Sequence, residues 1–322
     1  MNMKPIISLI LPAYNVEKYI ETCVQSCEQQ DLSKESYELV IVNDGSTDDT
    51  PEIIRTLSVT YSNIKVVSQQ NQGLSMARNN GFKEATGKYI WFIDSDDIIA
   101  INCLSTLVSV MEKFELDALT VAPSIPFRKE FPQSFNLLND VSEVYNGLDF
   151  LLHSGKFVVG AWCYIFKRDF WVKNKFQFYP GITYEDTQLM AYAISKVSKV
   201  AALVNFSCYN YVQRDGSIMN SRPSRKKLLS QAVIVNTHLQ YANETTNEEL
   251  NNLFKRSASC AFIDGVKKII QMRGDKGLID EFLSSISCRP TYIYGSGTVQ
   301  RLYQYLILNF PRTFIRIMKF KR

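Results

Sequence analysis

Asp94-Ser95-Asp96-Asp97 puts three carboxylates into one short segment, directly after the apolar run Tyr89–Ile93. Residues two apart in an extended chain project to the same side, so Asp94 and Asp96 can address one ligand together. Their oxygens suit a hard divalent cation, Mg2+ or Mn2+, that keeps positions open for phosphate oxygens. Asp96 or Asp97 could instead cap a following helix. A second acidic turn, Asn43-Asp44-Gly45-Ser46-Thr47-Asp48-Asp49, also follows an apolar run. Gly45 permits a tight turn, and Asp44 can accept hydrogen bonds from a heterocyclic N–H; a plain capped β–α loop would read the same way. Glu185-Asp186 stands far downstream, after Gly181 and before the helical pattern Thr187–Ser195. A carboxylate there could take a proton from a hydroxyl, or simply be the acidic first turn of a helix.

The rest of the composition narrows the chemistry. With only His153 and His238, imidazole-built metal sites are excluded and acid–base work falls to carboxylates. The seven cysteines (Cys23, Cys27, Cys103, Cys163, Cys208, Cys260, Cys288) are odd in number and lie in apolar stretches. No second pair completes a zinc site around Cys23 and Cys27. They read as reduced, buried thiols of a cytoplasmic protein. At 46% hydrophobic and 21% charged residues, the chain is an ordinary folded one rather than a disordered one. It shows no export signal, and no apolar run long enough to span a bilayer.

The elements that must position these acids alternate along the first 125 residues. Ile6–Leu11, Leu39–Asn43, Ile64–Val67, Tyr89–Ile93 and Leu119–Ala122 read as buried strands. Val16–Gln29, Pro51–Tyr61, Leu74–Glu84 and Ile101–Phe114 read as helices between them, with Thr50 as the cap before Pro51. This order predicts an α/β fold with a doubly wound, mostly parallel sheet. Ligands of such sheets bind beyond the carboxyl ends of the strands, where Pro12–Asn15, Asp44–Thr47 and Asp94–Asp97 all fall. Residues 123–221 read as short strands, loops and one or two helices. From Ser224 the pattern is helical: Lys226–Leu239, Glu248–Met272, Gly277–Ser285 and Val299–Phe310.

Taken together, Pro12-Ala13-Tyr14-Asn15, Asn43-Asp44-Gly45-Ser46, Asn71-Gln72-Gly73-Leu74-Ser75-Met76-Ala77-Arg78-Asn79, the aspartate cluster and Tyr184-Glu185-Asp186 closely resemble the family 2 inverting glycosyltransferases of the GT-A fold. The resemblance covers about residues 6–220. It implies that Pro12, Ala13, Tyr14 and Asn15 line a nucleobase pocket and that Asp44 reads the base, typically uracil. Asn71 and Arg78 are implied as further nucleotide contacts, Asp94 and Ser95 as neighbours of the ribose and sugar. Asp96 is implied as the ligand of a divalent Mn2+ or Mg2+, Asp186 as the catalytic base, and Glu185 as its neighbour. In Tyr211-Val212-Gln213-Arg214-Asp215-Gly216-Ser217-Ile218, the resemblance gives Arg214 and Ser217 the task of enclosing a diphosphate. The family's Trp-x-Lys reads Trp162-Cys163-Tyr164 here, so the lysine's role does not carry over to Tyr164. Trp162 remains either a core residue or a platform for the acceptor.

The expected organisation is thus a GT-A-type domain over residues 1–222, its nucleotide-binding half at about 1–125 and its acceptor half at about 126–222. A helical C-terminal appendage over 223–322 follows. The expected partners are a nucleotide-sugar donor, a UDP-sugar by resemblance, and a lipid-linked or saccharide acceptor of bacterial surface-polysaccharide assembly. A nucleotide-sugar-binding protein without catalysis is the rival, which intact Asp96 and Asp186 oppose. From Arg289 onward there are seven Lys/Arg and no Asp/Glu, leaving 29 basic against 32 acidic residues in the body. An excess of basic residues concentrated at one end of an otherwise slightly acidic chain argues against a nucleic-acid binder. The closing stretch from Phe310 is a solvated terminal helix or a helix lying on an anionic membrane surface, at the inner face of the cell membrane. Tyr292-Ile293-Tyr294-Gly295-Ser296-Gly297-Thr298-Val299-Gln300 reads as a strand, a structural turn and a helix start; its third fingerprint glycine is replaced by Gln300.

Overall fold

The computed structural model describes residues 4–121, 129–131, 134–212, 222–294 and 297–320. Arg214, Ser217, Gly295 and Ser296 lie outside the described residues. Nine strands are assigned among the described residues: β1 (Ile7–Ala13), β2 (Tyr37–Asn43), β3 (Ile64–Ser68), β4 (Tyr89–Phe92), β5 (Ile98–Ile99), β6 (Ala118–Thr120), β7 (Tyr164–Lys167), β8 (Val200–Ala202) and β9 (Tyr209–Asn210). The helices between them are α1 (Ile20–Glu28), α2 (Thr50–Thr60), α3 (Leu74–Glu84), α4 (Leu104–Lys113), α5 (Gly147–Leu152), α6 (Arg168–Lys173) and α7 (Glu185–Ser195). The chain divides into two compact units, Met1–Gly181 with Leu189–Arg214, and Ile182–Gln188 with Asp215–Arg322.

In the first unit, seven strands pair in the order β3-β2-β1-β4-β7-β6-β8. Only β7 runs against the others, antiparallel to both β4 and β6. This is the expected mostly parallel α/β sheet. Alternation sorts its side chains. Leu9, Leu11, Leu39, Ile41 and Trp91 pack on one face with α1, α2 and α4. Ile10, Val40, Val42, Ile90 and Phe92 pack on the other with Ala77, Trp171 and Leu189. Both faces are covered, which is why β1, β2 and β4 are apolar along most of their length. α3 lies close on this second face, since a Cβ at Gly81 would stand 2.5 Å from the Ile10 side chain.

Several boundaries differ from the sequence reading, each for a local reason. α1 starts at Ile20 rather than Val16, because Asn15 takes a left-handed φ of 51° and the Val16 N–H donates to the Thr50 hydroxyl at 2.9 Å. That bond also turns Thr50 away from capping, and α2 already begins at Thr50. α4 starts at Leu104 rather than Ile101: the left-handed Asn102 (φ 56°) intervenes, and Gln30 Oε1 accepts the Cys103 and Leu104 N–H groups. Three helices, not one or two, are found in the described part of 123–221. No disulfide forms among the seven cysteines, five of which are buried.

The second unit is helical: α8 (Arg225–Glu244), α9 (Glu248–Gln271), α10 (Lys276–Ser284), α11 (Thr298–Asn309) and α12 (Pro311–Phe320). Ser224, Asn247 and Asp275 cap α8, α9 and α10 with their side-chain oxygens. The five helices share a core of Leu228, Val235, Phe262, Val266, Phe282, Ile307, Phe314 and Ile315. Residues 291–294 form no strand, although α11 does begin just after Gly297. No helix among the described residues is long and apolar enough to cross a membrane.

Candidate functional site

Because β1, β2 and β4 are parallel neighbours, their carboxyl ends bring Pro12–Asn15, Asp44 and Asp94–Asp97 to one edge of the sheet. Pro12 and Ala13 end β1 in the buried layer, whereas Tyr14 is 47% exposed and Asn15 is exposed beside it. The loop after β1 is laced to the loop after β2. The Asn15 N–H donates to Ser46 Oγ at 3.1 Å, and the Thr47 N–H donates to Asn15 Oδ1 at 2.8 Å. The Glu17 N–H donates to Asp48 at 3.2 Å, and the Asp49 N–H to Glu17 at 3.1 Å.

Asp44 is almost wholly buried, and its carboxylate gathers the loop 69–73. Oδ1 accepts from Gln69 Nε2 (2.7 Å) and the Gln72 N–H (2.8 Å); Oδ2 accepts from the Gly73 N–H (2.8 Å). A carboxylate has about four acceptor sites, so one remains on Oδ2. Gly45 is required here: its φ is 70°, and a Cβ would stand 2.8 Å from the backbone nitrogen of Asn71. Asn71 itself is exposed on the same loop.

Asp94–Asp97 is a turn, closed by the Asp97 N–H donating to the Asp94 carbonyl at 3.0 Å. It is not the extended segment assumed from spacing, yet exposure still alternates: Asp94 and Asp96 are half-buried, Ser95 and Asp97 are buried. Helix capping is excluded, because β5 follows the turn and α4 starts only at Leu104. Asp94 receives a charge-assisted bond of 2.6 Å from Arg78. That guanidinium is buried against the Phe178 ring, 5.3 Å from its centroid. Asp97 accepts from the Tyr209 hydroxyl at 2.6 Å and the Val212 N–H at 2.8 Å. The Asp94 N–H in turn donates to that hydroxyl at 3.1 Å. Burial, then the nearby Asp94 carboxylate, push the Asp97 carboxyl up to about 8.

Tyr209 was not legible in the sequence. It pairs through Ile99↔Tyr209 in the small β5–β9 sheet and stacks on Trp162 with ring centroids 4.4 Å apart. Trp162 also lies near-parallel to the half-exposed Tyr211, at 6.2 Å. Tyr164 is fully buried, and its hydroxyl donates to the Val158 carbonyl at 2.8 Å, so the family lysine's place is structural here.

The donor set fits a hard cation only in part. Asp94 and Asp96 offer oxygens and concentrate negative charge, but no three His, Cys, Asp or Glu side chains among the described residues converge on one point. An ion there would need further oxygens from a ligand or water, the ordinary situation for Mg2+ beside phosphates.

Glu185 and Asp186 stand in the second unit. Tyr184 takes a left-handed φ of 68° and α7 begins at once, so the pair forms the first helical turn rather than preceding it. Glu185 is 5% exposed, whereas Asp186 is half-buried. Thr183 to Gln188 are held by α8 and α9. The Thr183 N–H donates to Ser230 Oγ at 2.9 Å, and Gln188 Nε2 donates to the Tyr241 hydroxyl at 2.7 Å. The Tyr184 ring lies 5.5 Å from Lys268 Nζ.

Residues 8–180 match the profile described as Glycosyl transferase family 2. The chain is 32% identical over 192 residues to the uncharacterized glycosyltransferase YibD of Escherichia coli K12, covering 58% of this chain and 55% of that protein. It is 30% identical over 219 residues to a poly(ribitol-phosphate) beta-glucosyltransferase of Bacillus spizizenii, covering 66% and 33%. These alignments span well under two thirds of either relative. Among solved structures, S. aureus TarS 1-349 in complex with UDP-GlcNAc superposes with a TM-score of 0.70 at 20% identity, over 99% of this chain and 89% of that one. The mannosyltransferase PcManGT of Pyrobaculum calidifontis, in complex with GDP-Man and Mn2+, gives 0.56 at 15% identity, over 98% and 84%. At these identities the likeness establishes a GT-A-like fold.

Proposed function

The chain belongs to glycosyl transferase family 2, and on that premise we propose that it is an inverting enzyme moving a sugar from a UDP-sugar to a hydroxyl acceptor. The observation that carries this reading is the Asp94–Asp97 turn at the carboxyl edge of β4, with Arg78 and the Asp44 loop ordered beside it. In this reading Pro12, Ala13, Tyr14, Asn15, Asn71 and the remaining acceptor site on Asp44 meet the nucleobase. Asp94 and Ser95 face the ribose and sugar, and Arg214 and Ser217 enclose the diphosphate. Asp96 would hold a Mg2+ or Mn2+, which would supply positive charge against the departing diphosphate.

The reaction is a single displacement. The bond from the anomeric carbon to the diphosphate oxygen breaks with oxocarbenium character while the acceptor oxygen bonds to the opposite face. Asp186, next to buried Glu185, takes the acceptor proton, so configuration inverts without a covalent enzyme intermediate. UDP-GlcNAc on the similar TarS supports the donor class, and the poly(ribitol-phosphate) relative supports a role in surface-polysaccharide assembly on lipid-linked or saccharide acceptors. The test is a panel of UDP-, GDP- and dTDP-sugars scored with Mn2+ for thermal stabilisation and nucleotide release. A UDP-sugar at 100 times its Kd stabilises the fold by about 2.7 kcal/mol. Stabilisation by GDP-sugars alone overturns the donor assignment, and binding without release makes the chain a binding protein.

The basic end is proposed to rest on an anionic membrane surface, but not as a detached tail. Phe314 and Ile315 are buried in the helical core and Arg312 pairs with Asp280 at 2.8 Å, so deleting 313–322 would damage the fold. The exposed apolar side chains are instead Val299, Leu302, Leu306 and Phe310 on or beside α11, and Ile317 on α12. Each Lys or Arg near such a surface contributes about 1 kcal/mol, screened by salt. Replacing Leu302, Leu306 and Ile317 together by Ser should release the protein from phosphatidylglycerol vesicles at an unchanged melting temperature. Equal co-sedimentation of both forms removes the membrane reading.

A further inference from the structure

We propose that Ser230, His238 and Tyr241 on α8 are positioning residues for Asp186. The inference rests on the reading of Asp186 as the base, and it concerns only the second unit.

A general base works only within hydrogen-bond reach of its proton, and small misplacements cost large factors in rate. The segment carrying Asp186 is tied on both sides of that residue. Three positions before it, the Thr183 N–H donates to Ser230 Oγ at 2.9 Å. Two positions after it, Gln188 Nε2 donates to Tyr241 Oη at 2.7 Å, and the Gln188 carbonyl accepts from His238 Nε2 at 3.2 Å. The three anchors stand on α8 at 230, 238 and 241, so one helix grips both ends of the turn. Between the ties, Tyr184 is held at φ 68°, a conformation that a non-glycine residue keeps only when its surroundings enforce it.

The anchor is itself ordered. His238 is buried, and its other nitrogen, Nδ1, lies 2.8 Å from Ser257 Oγ on α9. With Nε2–H given to the Gln188 carbonyl, Nδ1 accepts from the serine hydroxyl, which fixes ring orientation and tautomer. Burial pulls the imidazole pKa down to about 4, so the ring stays neutral at physiological pH and this pattern is constant. The Tyr241 ring packs on His238 (5.9 Å) and Phe254 (5.5 Å), so its hydroxyl too is presented from a fixed platform. A helical segment more than forty residues downstream thus builds the support of the base.

The test is a double-mutant cycle on the full chain. It measures UDP released from UDP-glucose, UDP-galactose or UDP-N-acetylglucosamine with Mn2+, water serving as acceptor. Tyr241→Phe and, as a second single-hydroxyl deletion, Ser230→Ala should each lower kcat about tenfold while leaving the donor KM unchanged. In an Asp186→Asn background, the same substitutions should have no further effect, because there is no base left to misplace. Unchanged kcat in both single variants overturns the inference, as does an equal loss in the two backgrounds, which marks general destabilisation. Full turnover by Asp186→Asn alone, or no UDP release by the unmodified chain, instead removes the base on which the inference rests.

Discussion

Asp186→Asn is expected to lower turnover by about 10²-fold or more, the usual scale for a missing general base, with donor affinity close to that of the unmodified chain. Of the two acids that open α7, Glu185 is the more deeply buried, at 5% exposed. Asp186 is half-buried, within reach of solvent, and its carboxylate is unchanged in size by the substitution. The donor is assigned to Pro12–Asn15, Asp44, Asn71, Arg78 and Asp94–Asp96, none of which this change touches. Turnover and binding should therefore separate cleanly. Donor affinity is read by titration and turnover by UDP release. If affinity falls in step with turnover, Asp186 is a donor ligand and the base must be sought elsewhere. Glu185→Gln should behave differently, costing melting temperature before activity, because it alters a group inside the fold.

The parts of this protein that were legible in the sequence are those governed by short-range periodicity. Alternating apolar runs and helical patterns gave the parallel sheet, because β1, β2 and β4 are buried on both faces and carry few polar residues, Ser8 in β1 and Glu38 and Asn43 in β2. The acids were found because loops at the carboxyl ends of such strands must be polar. What spacing alone could not supply was the division of labour among the acids. Asp44 looked like a ligand for a base, yet three of its four acceptor sites hold Gln69, Gln72 and Gly73. Asp97 looked like a helix cap, yet it anchors Tyr209 and Val212, more than a hundred residues away. No local pattern announces such partners. The same limit applies to Ser230 and His238, unremarkable positions of the Lys226–Leu239 helical pattern, and to Tyr241 just past it, until Thr183 and Gln188 are seen against them.

The three aspartates of one turn should give three different results when each is changed to Asn, and Asp96 should be the one whose loss is purely catalytic. Asp94 compensates the charge of Arg78, a guanidinium only 1% exposed. Asp94→Asn removes the carboxylate charge that faces this buried cation, so the melting temperature should fall together with activity. Asp97→Asn disturbs the bonds to Tyr209 and Val212 and should loosen the β5–β9 ladder. Asp96 is half-buried, between buried Ser95 and buried Asp97, and it is assigned to the cation. Asp96→Asn should keep the melting temperature and lose about 10²- to 10³-fold in turnover, since a cation on a leaving diphosphate is worth several kcal/mol. Treating the unmodified chain with a strong chelator should reproduce that loss, and added Mn2+ should restore turnover there but not in the variant. Full turnover in the chelator would sink the metal assignment. A drop in melting temperature for Asp96→Asn as large as for Asp94→Asn would show that Asp96 supports the turn rather than the reaction.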